Sequence, residues 1–192
     1  MVIFIAIGCL AFICFGIFDL NKIKYMHKTI NSLVILGSLV ITFSTVMIII
    51  SNYSMRISTL LQWILLLSAI FALFLMIYTI FFAVSFKKTY IETNKGNTVV
   101  NTGMYALCRH PGVFWFFLFY LFLGLAFSNK LLLIAGFVWT SIDVIYVYIQ
   151  DRWIFPIILE DYHAYQKQVP FLLPNKTSLR MVCHQCWEKV IK

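Results

Sequence analysis

Arg109, His110 and Pro111 close a polar loop and drop into an apolar run, and a second apolar run ends at Gln150, Asp151 and Arg152. Arginine carries a permanent charge on a planar fork that matches a carboxylate or a phosphate. Proline is favoured at a first helical position, where its missing N–H costs nothing. A helix starting there presents N–H groups and partial positive charge, so an anionic group is the expected guest of Arg109. The plainer alternative is that Arg109 snorkels to lipid headgroups while His110 only caps the helix. Asp143 lies inside the second apolar run. An intramembrane carboxylate costs several kcal/mol unless it faces protein or water, which makes it a catalytic candidate. A structural hydrogen bond to a neighbouring helix, through Ser68 or Thr79, would also explain it. Helical spacing puts Asp143, Tyr146 or Val147, and Gln150 on one stripe. Asp151, a step round, either turns toward Arg109 and His110 or pairs with its neighbour Arg152.

The loop before Arg109 reads Lys95-Gly96-Asn97-Thr98-Val99-Val100-Asn101-Thr102-Gly103-Met104-Tyr105. It is too polar for lipid and too short for a domain. Gly96 and Gly103 allow backbone turns and close approach of a ligand.

These residues need elements to hold them, and composition names the kind. With 62% hydrophobic and 11% charged residues and a mean hydropathy of +0.91, the chain is no soluble globular domain, which averages about 25% charged. A bilayer is spanned by about 20 apolar residues in a helix. Five apolar runs approach or exceed that: Val2–Phe18, Leu33–Ile50, Thr59–Phe86, Val113–Phe127 and Leu131–Ile149. None alternates like a barrel strand, and only helices otherwise satisfy their backbone in lipid. The expected fold is therefore all-α and polytopic, with about five transmembrane helices. The third run would reach about 42 Å and should tilt or project. The fourth and fifth should form a tight hairpin through Ser128-Asn129-Lys130. The first run lacks the basic residue that precedes a signal peptide's apolar core, so it reads as a retained helix.

Thirteen of the 15 Lys and Arg fall on one side of such a bundle, with Arg56 and Lys130 opposite. By the positive-inside rule the N-terminus lies outside and the C-terminus in the cytoplasm. The net charge of +8 is thus mostly topology, and it can also attract anionic headgroups. Dispersed basic residues of this kind argue against a nucleic-acid partner. Cys108 lies on the reducing side, and the five cysteines form no disulfide framework. Cys183-His184-Gln185-Cys186 has metal-ligand types, but structural zinc usually wants a second such pair, so no metal is expected. The chain reads as one membrane domain, with residues 1–88 as scaffold, 89–175 carrying the chemistry and 176–192 as a cytoplasmic tail.

Taken in order, Gly103-Met104-Tyr105, Arg109-His110-Pro111, an apolar hairpin, Gln150-Asp151, Tyr162-His163-Ala164-Tyr165 and Val169-Pro170-Phe171-Leu172-Leu173-Pro174 resemble the isoprenylcysteine carboxyl methyltransferase family. That family is related to the phospholipid N-methyltransferases. The resemblance covers roughly residues 95 to 175. It implies an integral membrane enzyme that uses S-adenosylmethionine and a lipid-like methyl acceptor, either an isoprenylcysteine-type carboxylate or a lipid amine. By the same resemblance Asn97, Thr98, Val99, Val100, Tyr105, His110, Pro111, Gly112, Val113 and Gln150 would bind the cofactor. Tyr146 or Val147 would face the acceptor. Three positions depart from the family pattern: Val113 stands where tyrosine is usual, Gln150-Asp151 replaces a glutamate pair, and Ile158-Leu159 replaces Phe-Gly.

The implied chemistry is in-line methyl transfer, in which the enzyme's main task is positioning. Arg109 would bind a carboxylate of cofactor or acceptor. Asp151 would bind amino or hydroxyl groups or take a proton from an amine. Two rivals stand beside this reading. Sterol and steroid reductases share a similar C-terminal arrangement around NADPH, but between Thr89 and Leu107 only Lys95 could meet a 2′-phosphate. The other is a non-catalytic membrane scaffold.

Overall fold

The structure is a computed structural model that describes residues 1–25, 27–51, 57–83, 99 and 101–191. Among these residues the chain is helical, without strands. Helix α1 (Ile3–Lys24) is followed by a 3-10 turn at Lys28–Ser32 and α2 (Leu33–Ser51). Helix α3 (Thr59–Ile77) continues as a π-helical turn, Tyr78–Ala83. A short α4 (Met104–Leu107) precedes α5 (Gly112–Ala126) and α6 (Lys130–Ile149). A π-helical stretch, Gln150–Ile154, then leads to α7 (Phe155–Ile158), α8 (Tyr162–Gln168) and α9 (Lys176–Ile191).

Among the described residues four helical stretches are long and apolar enough to cross a bilayer: Ile3–Lys24, Lys28–Ser51, Thr59–Ile80 and Lys130–Ile158. α5 is as apolar but shorter, at 15 residues. Leu39, Leu60, Phe71 and Phe74 are exposed on the bundle's outer surface. Such a surface suits hydrocarbon rather than water, so the chain fits a helical membrane protein. The fifth run does not end its helical path at Ile149 but turns through the π-helical stretch into α7. The third is helical to Ala83, and its last residues, 84–86, lie outside the described ones.

Without a hydrophobic force between helices in lipid, close backbone approach and buried polar bonds must hold the bundle. Both occur. Fully buried Trp139 of α6 donates from Nε1 to the Ile5 carbonyl of α1 at 3.0 Å. Its indole lies where a Cβ on Gly8 would be, 2.3 Å from Cζ2. Tyr120 of α5 and Thr45 of α2 share a hydroxyl bond at 3.0 Å, and Gly136 of α6 makes room for Tyr120. The connection from α5 to α6 passes Ser128, whose φ is 48°. Asn129 then caps α6 by accepting from Leu132 N–H at 3.0 Å and donates to the Ile48 carbonyl of α2 at 3.1 Å. One amide thus caps α6 and ties it to α2.

Because Trp139 is buried and bonded, it cannot yield to an added methyl. Gly8→Ala should cost about 1–3 kcal/mol of unfolding stability in detergent. Gly16→Ala, with nothing within 4 Å of the new Cβ, should cost nothing. Equal stability of the two variants would mean that α1 does not meet α6 at Trp139.

Candidate functional site

The π-helical stretch after α6 carries one residue more per turn than an α-helix, which rotates Gln150, Asp151 and Ile154 into the interior. Asp151 therefore faces the start of α5, not its neighbour Arg152. Arg109 Nη2 donates to Asp151 Oδ2 at 3.0 Å, while Nε stands 2.9 Å from Oδ1. His110 Nε2 is 3.1 Å from Oδ1. Tyr162 donates its hydroxyl to Oδ1 at 2.5 Å, and Gln166 donates to Oδ2 at 3.1 Å and to the Asp151 carbonyl at 2.9 Å. Every lone pair of the carboxylate is engaged.

Arg109 also ties down the C-terminal segment. Its Nη1 donates to the carbonyls of Gln166 (2.9 Å) and Val169 (3.2 Å), and its backbone N–H to Pro170 (3.0 Å). Phe171 covers the guanidinium at 5.7 Å and meets the His110 ring edge-on at 5.1 Å. With a side chain 12% exposed, Arg109 does not snorkel to headgroups. Nor is its fork free for an anionic guest, since Asp151 occupies it. The helix N-terminus is also less open than expected: Pro111 is the N-cap of α5, and Val113 and Phe114 donate to the carbonyls of His110 and Pro111.

Burial dominates the proton affinities around this network. It pushes His110 below its ordinary 6.5 despite the Asp151 carboxylate beside it. Burial, and next the bond to Asp151, raises Tyr162 far above the usual phenol range, so its hydroxyl stays a donor. Tyr165 and Tyr105 are raised by burial likewise. Tyr165 donates to the Tyr105 carbonyl at 2.7 Å, and Tyr105 to the Thr79 carbonyl at 3.1 Å. Burial pushes the Cys108 thiol up to about 11, which removes it as a neutral-pH nucleophile.

The polar network closes one end of a cavity of about 780 Å³. Tyr105, Arg109, His110, Pro111, Gly112 and Val113 line it from the α4–α5 side. Asp143, Tyr146, Val147 and Gln150 line it from α6, and Val99 joins them. Asp151 stands behind that wall. Asn97, Thr98 and Val100 lie outside the described residues. Toward the bundle the walls become apolar, with Phe12, Ile41, Leu73, Phe119 and Leu123.

Asp19, near the C-terminal end of α1, had no place in the sequence reading. It is 1% exposed and accepts from Tyr146 hydroxyl at 2.5 Å and Gln150 Nε2 at 2.8 Å. The only signal was an acid at the close of an apolar run. Gln166 was equally silent, an amide among polar neighbours. Asp143 is half-buried and has no hydrogen-bond or ion-pair partner among the described residues. The anticipated bond to Ser68 or Thr79 is absent there, because those hydroxyls donate to Ile64 and Leu75 carbonyls of their own helix. Among the described residues no three His, Cys, Asp or Glu gather as metal ligands, and the side chains of His184 and Cys186 lie outside the described ones.

His110 sets a pH signature. Its folded pKa is below its unfolded 6.5, so the unfolded chain binds the proton first and stability falls as pH drops below that value. Melting temperature should decline as pH falls below about 6.5, and His110→Gln should flatten the decline. An unchanged slope in the variant would mean that His110 is not buried neutral. The chain matches no family model, no curated protein and no solved structure.

Proposed function

We propose that the chain is an S-adenosylmethionine-dependent membrane methyltransferase acting on a lipid-like acceptor, of the kind the isoprenylcysteine carboxyl methyltransferase resemblance implies. The observation that carries this reading is a single cavity with a polar, tyrosine-rich end and an apolar end. A water-soluble donor and a lipid acceptor need just those two environments in contact. The cavity's volume, about 780 Å³, falls in the range of about 300–1,000 Å³ typical of cofactor and ligand sites.

In this reading α5 is a fifth span, paired with α6 as a hairpin. The N-terminus lies outside, and the Asp151 network and C-terminal helices lie at the cytoplasmic face, as the basic residues require. When bound, S-adenosylmethionine supplies an electrophilic methyl group. By the resemblance Tyr105, His110, Gly112, Val113 and Val99, which line the cavity, would hold it, with Gln150 at the junction toward the acceptor. The Asp151–Arg109 pair fixes the C-terminal segment as the wall of that pocket, so both are positioning residues. Tyr146 and Val147 would border the acceptor. Catalysis would come chiefly from holding the reactants aligned and dry.

The reductase reading is weaker. Among the described lining residues Arg109 is the sole guanidinium or ammonium, and Asp151 already holds it, leaving nothing there for a 2′-phosphate. Titration calorimetry of the purified protein with S-adenosylhomocysteine and with NADPH decides the matter. The first should bind and the second should not. Binding of NADPH alone would make the chain a reductase, and binding of neither would leave a scaffold.

A further inference from the structure

Asp143 and the aromatic rings that line the same cavity point to the chemistry of the acceptor's head, granted the methyltransferase reading. The carboxyl of Asp143 opens on the cavity without a partner among the described residues. Two donors further along its helical path are committed elsewhere, since Tyr146 hydroxyl and Gln150 Nε2 both serve Asp19. Asp143 lies three residues before Tyr146, about one helical turn deeper into the apolar part. A bare carboxylate in such a place costs several kcal/mol, which a cation brought by a ligand would offset.

The aromatic rings suit the same guest. Phe12, Phe15, Phe116 and Tyr146 line the same cavity as Asp143 and Asp19. Phe12 lies 6.2 Å from Phe116 and 6.4 Å from Tyr146, and Phe15 lies 6.3 Å from Tyr146. Aromatic faces grouped in this way attract ammonium ions and their methylated forms. A carboxylate head would meet the opposite: repulsion from Asp143 and Asp19, and an arginine whose charge Asp151 already balances. Beyond the rings, Ile41, Leu73 and Leu123 offer an apolar path for a tail.

We infer that the cavity binds an amphiphile with a protonatable amine head, seated on Asp143 among Phe12, Phe15, Phe116 and Tyr146, and that the acceptor is therefore a lipid amine rather than a carboxylate. The bound ammonium would give one proton to the Asp143 carboxylate, and the freed nitrogen lone pair would form the N–C bond as the sulfonium's S–CH3 bond breaks and S-adenosylhomocysteine leaves.

The test uses the full chain in discs of zwitterionic lipid, with empty discs as the blank. Octylamine, octanol and octanoate share a tail and differ in head, being cationic, neutral and anionic near neutral pH. Octylamine should bind at least about ten-fold tighter than either of the others. In Asp143→Asn its advantage over octanoate should shrink to within about three-fold. Octanoate or octanol binding as well as octylamine to the wild-type protein would overturn the inference, whatever the variant does. So would an advantage that survives Asp143→Asn. S-adenosylhomocysteine, titrated into the same wild-type discs, separates the two levels. If it binds while the amine preference is missing, the ammonium site alone fails. If it does not bind while the preference holds, the methyltransferase reading fails and the ammonium site stands.

Discussion

A carboxylate sunk between helices is costly unless donors meet all of its lone pairs, and around Asp151 they do. Arg109 faces it with two nitrogens, and His110, Tyr162 and Gln166 complete the shell. These partners come from the entrance of α5 and from α8, elements far apart in sequence. The ion pair is therefore a clamp before it is anything else. It joins the start of one helix to the exit of another and, through Arg109 Nη1, to the carbonyls of Gln166 and Val169. Without it the segment from Tyr162 to Phe171 would keep the Tyr165 bond to Tyr105 and the Arg109 N–H to Pro170 but lose the bonds that gather on Asp151.

The clamp settles how charge is distributed over the site. An arginine beside a helix start reads naturally as a receptor for anions, yet its fork is filled from within. What faces the cavity is then dominated by neutral donors, aromatic rings and two carboxyls, Asp19 and Asp143. Asp19 is satisfied by Tyr146 and Gln150. Asp143 is not. The same cavity thus combines an internally balanced polar end with an unbalanced acid further in, a division of labour that residue types alone do not disclose.

Much of the frame was legible from the chain. Apolar runs of bilayer length gave helices because lipid leaves the backbone no other choice. Asp143, Tyr146, Val147 and Gln150 share one wall because helical spacing places them so. The turn toward Arg109 and His110 was one of two open positions for Asp151, and the π-helical stretch decided it. No periodicity marks such a stretch in advance. Asp19 escaped notice because its partners, Tyr146 and Gln150, belong to a helix far along the chain. Pairings of that kind depend on which helices touch, and interfaces sealed by Gly8 against Trp139 or Gly136 against Tyr120 are shape matches between distant residues. The loop residues Asn97, Thr98 and Val100 fall outside the described part of the chain.

Arg109 and Asp151 act as one unit, and a double-mutant cycle measures that directly. Arg109→Gln and Asp151→Asn, singly and together, are compared by unfolding stability in detergent. Each single change should cost about 3–5 kcal/mol, because it strands a buried charge. The double variant should cost little more than either one, giving a coupling of about 2 kcal/mol or more. Simple addition of the two losses would show that the pair does not hold the site together.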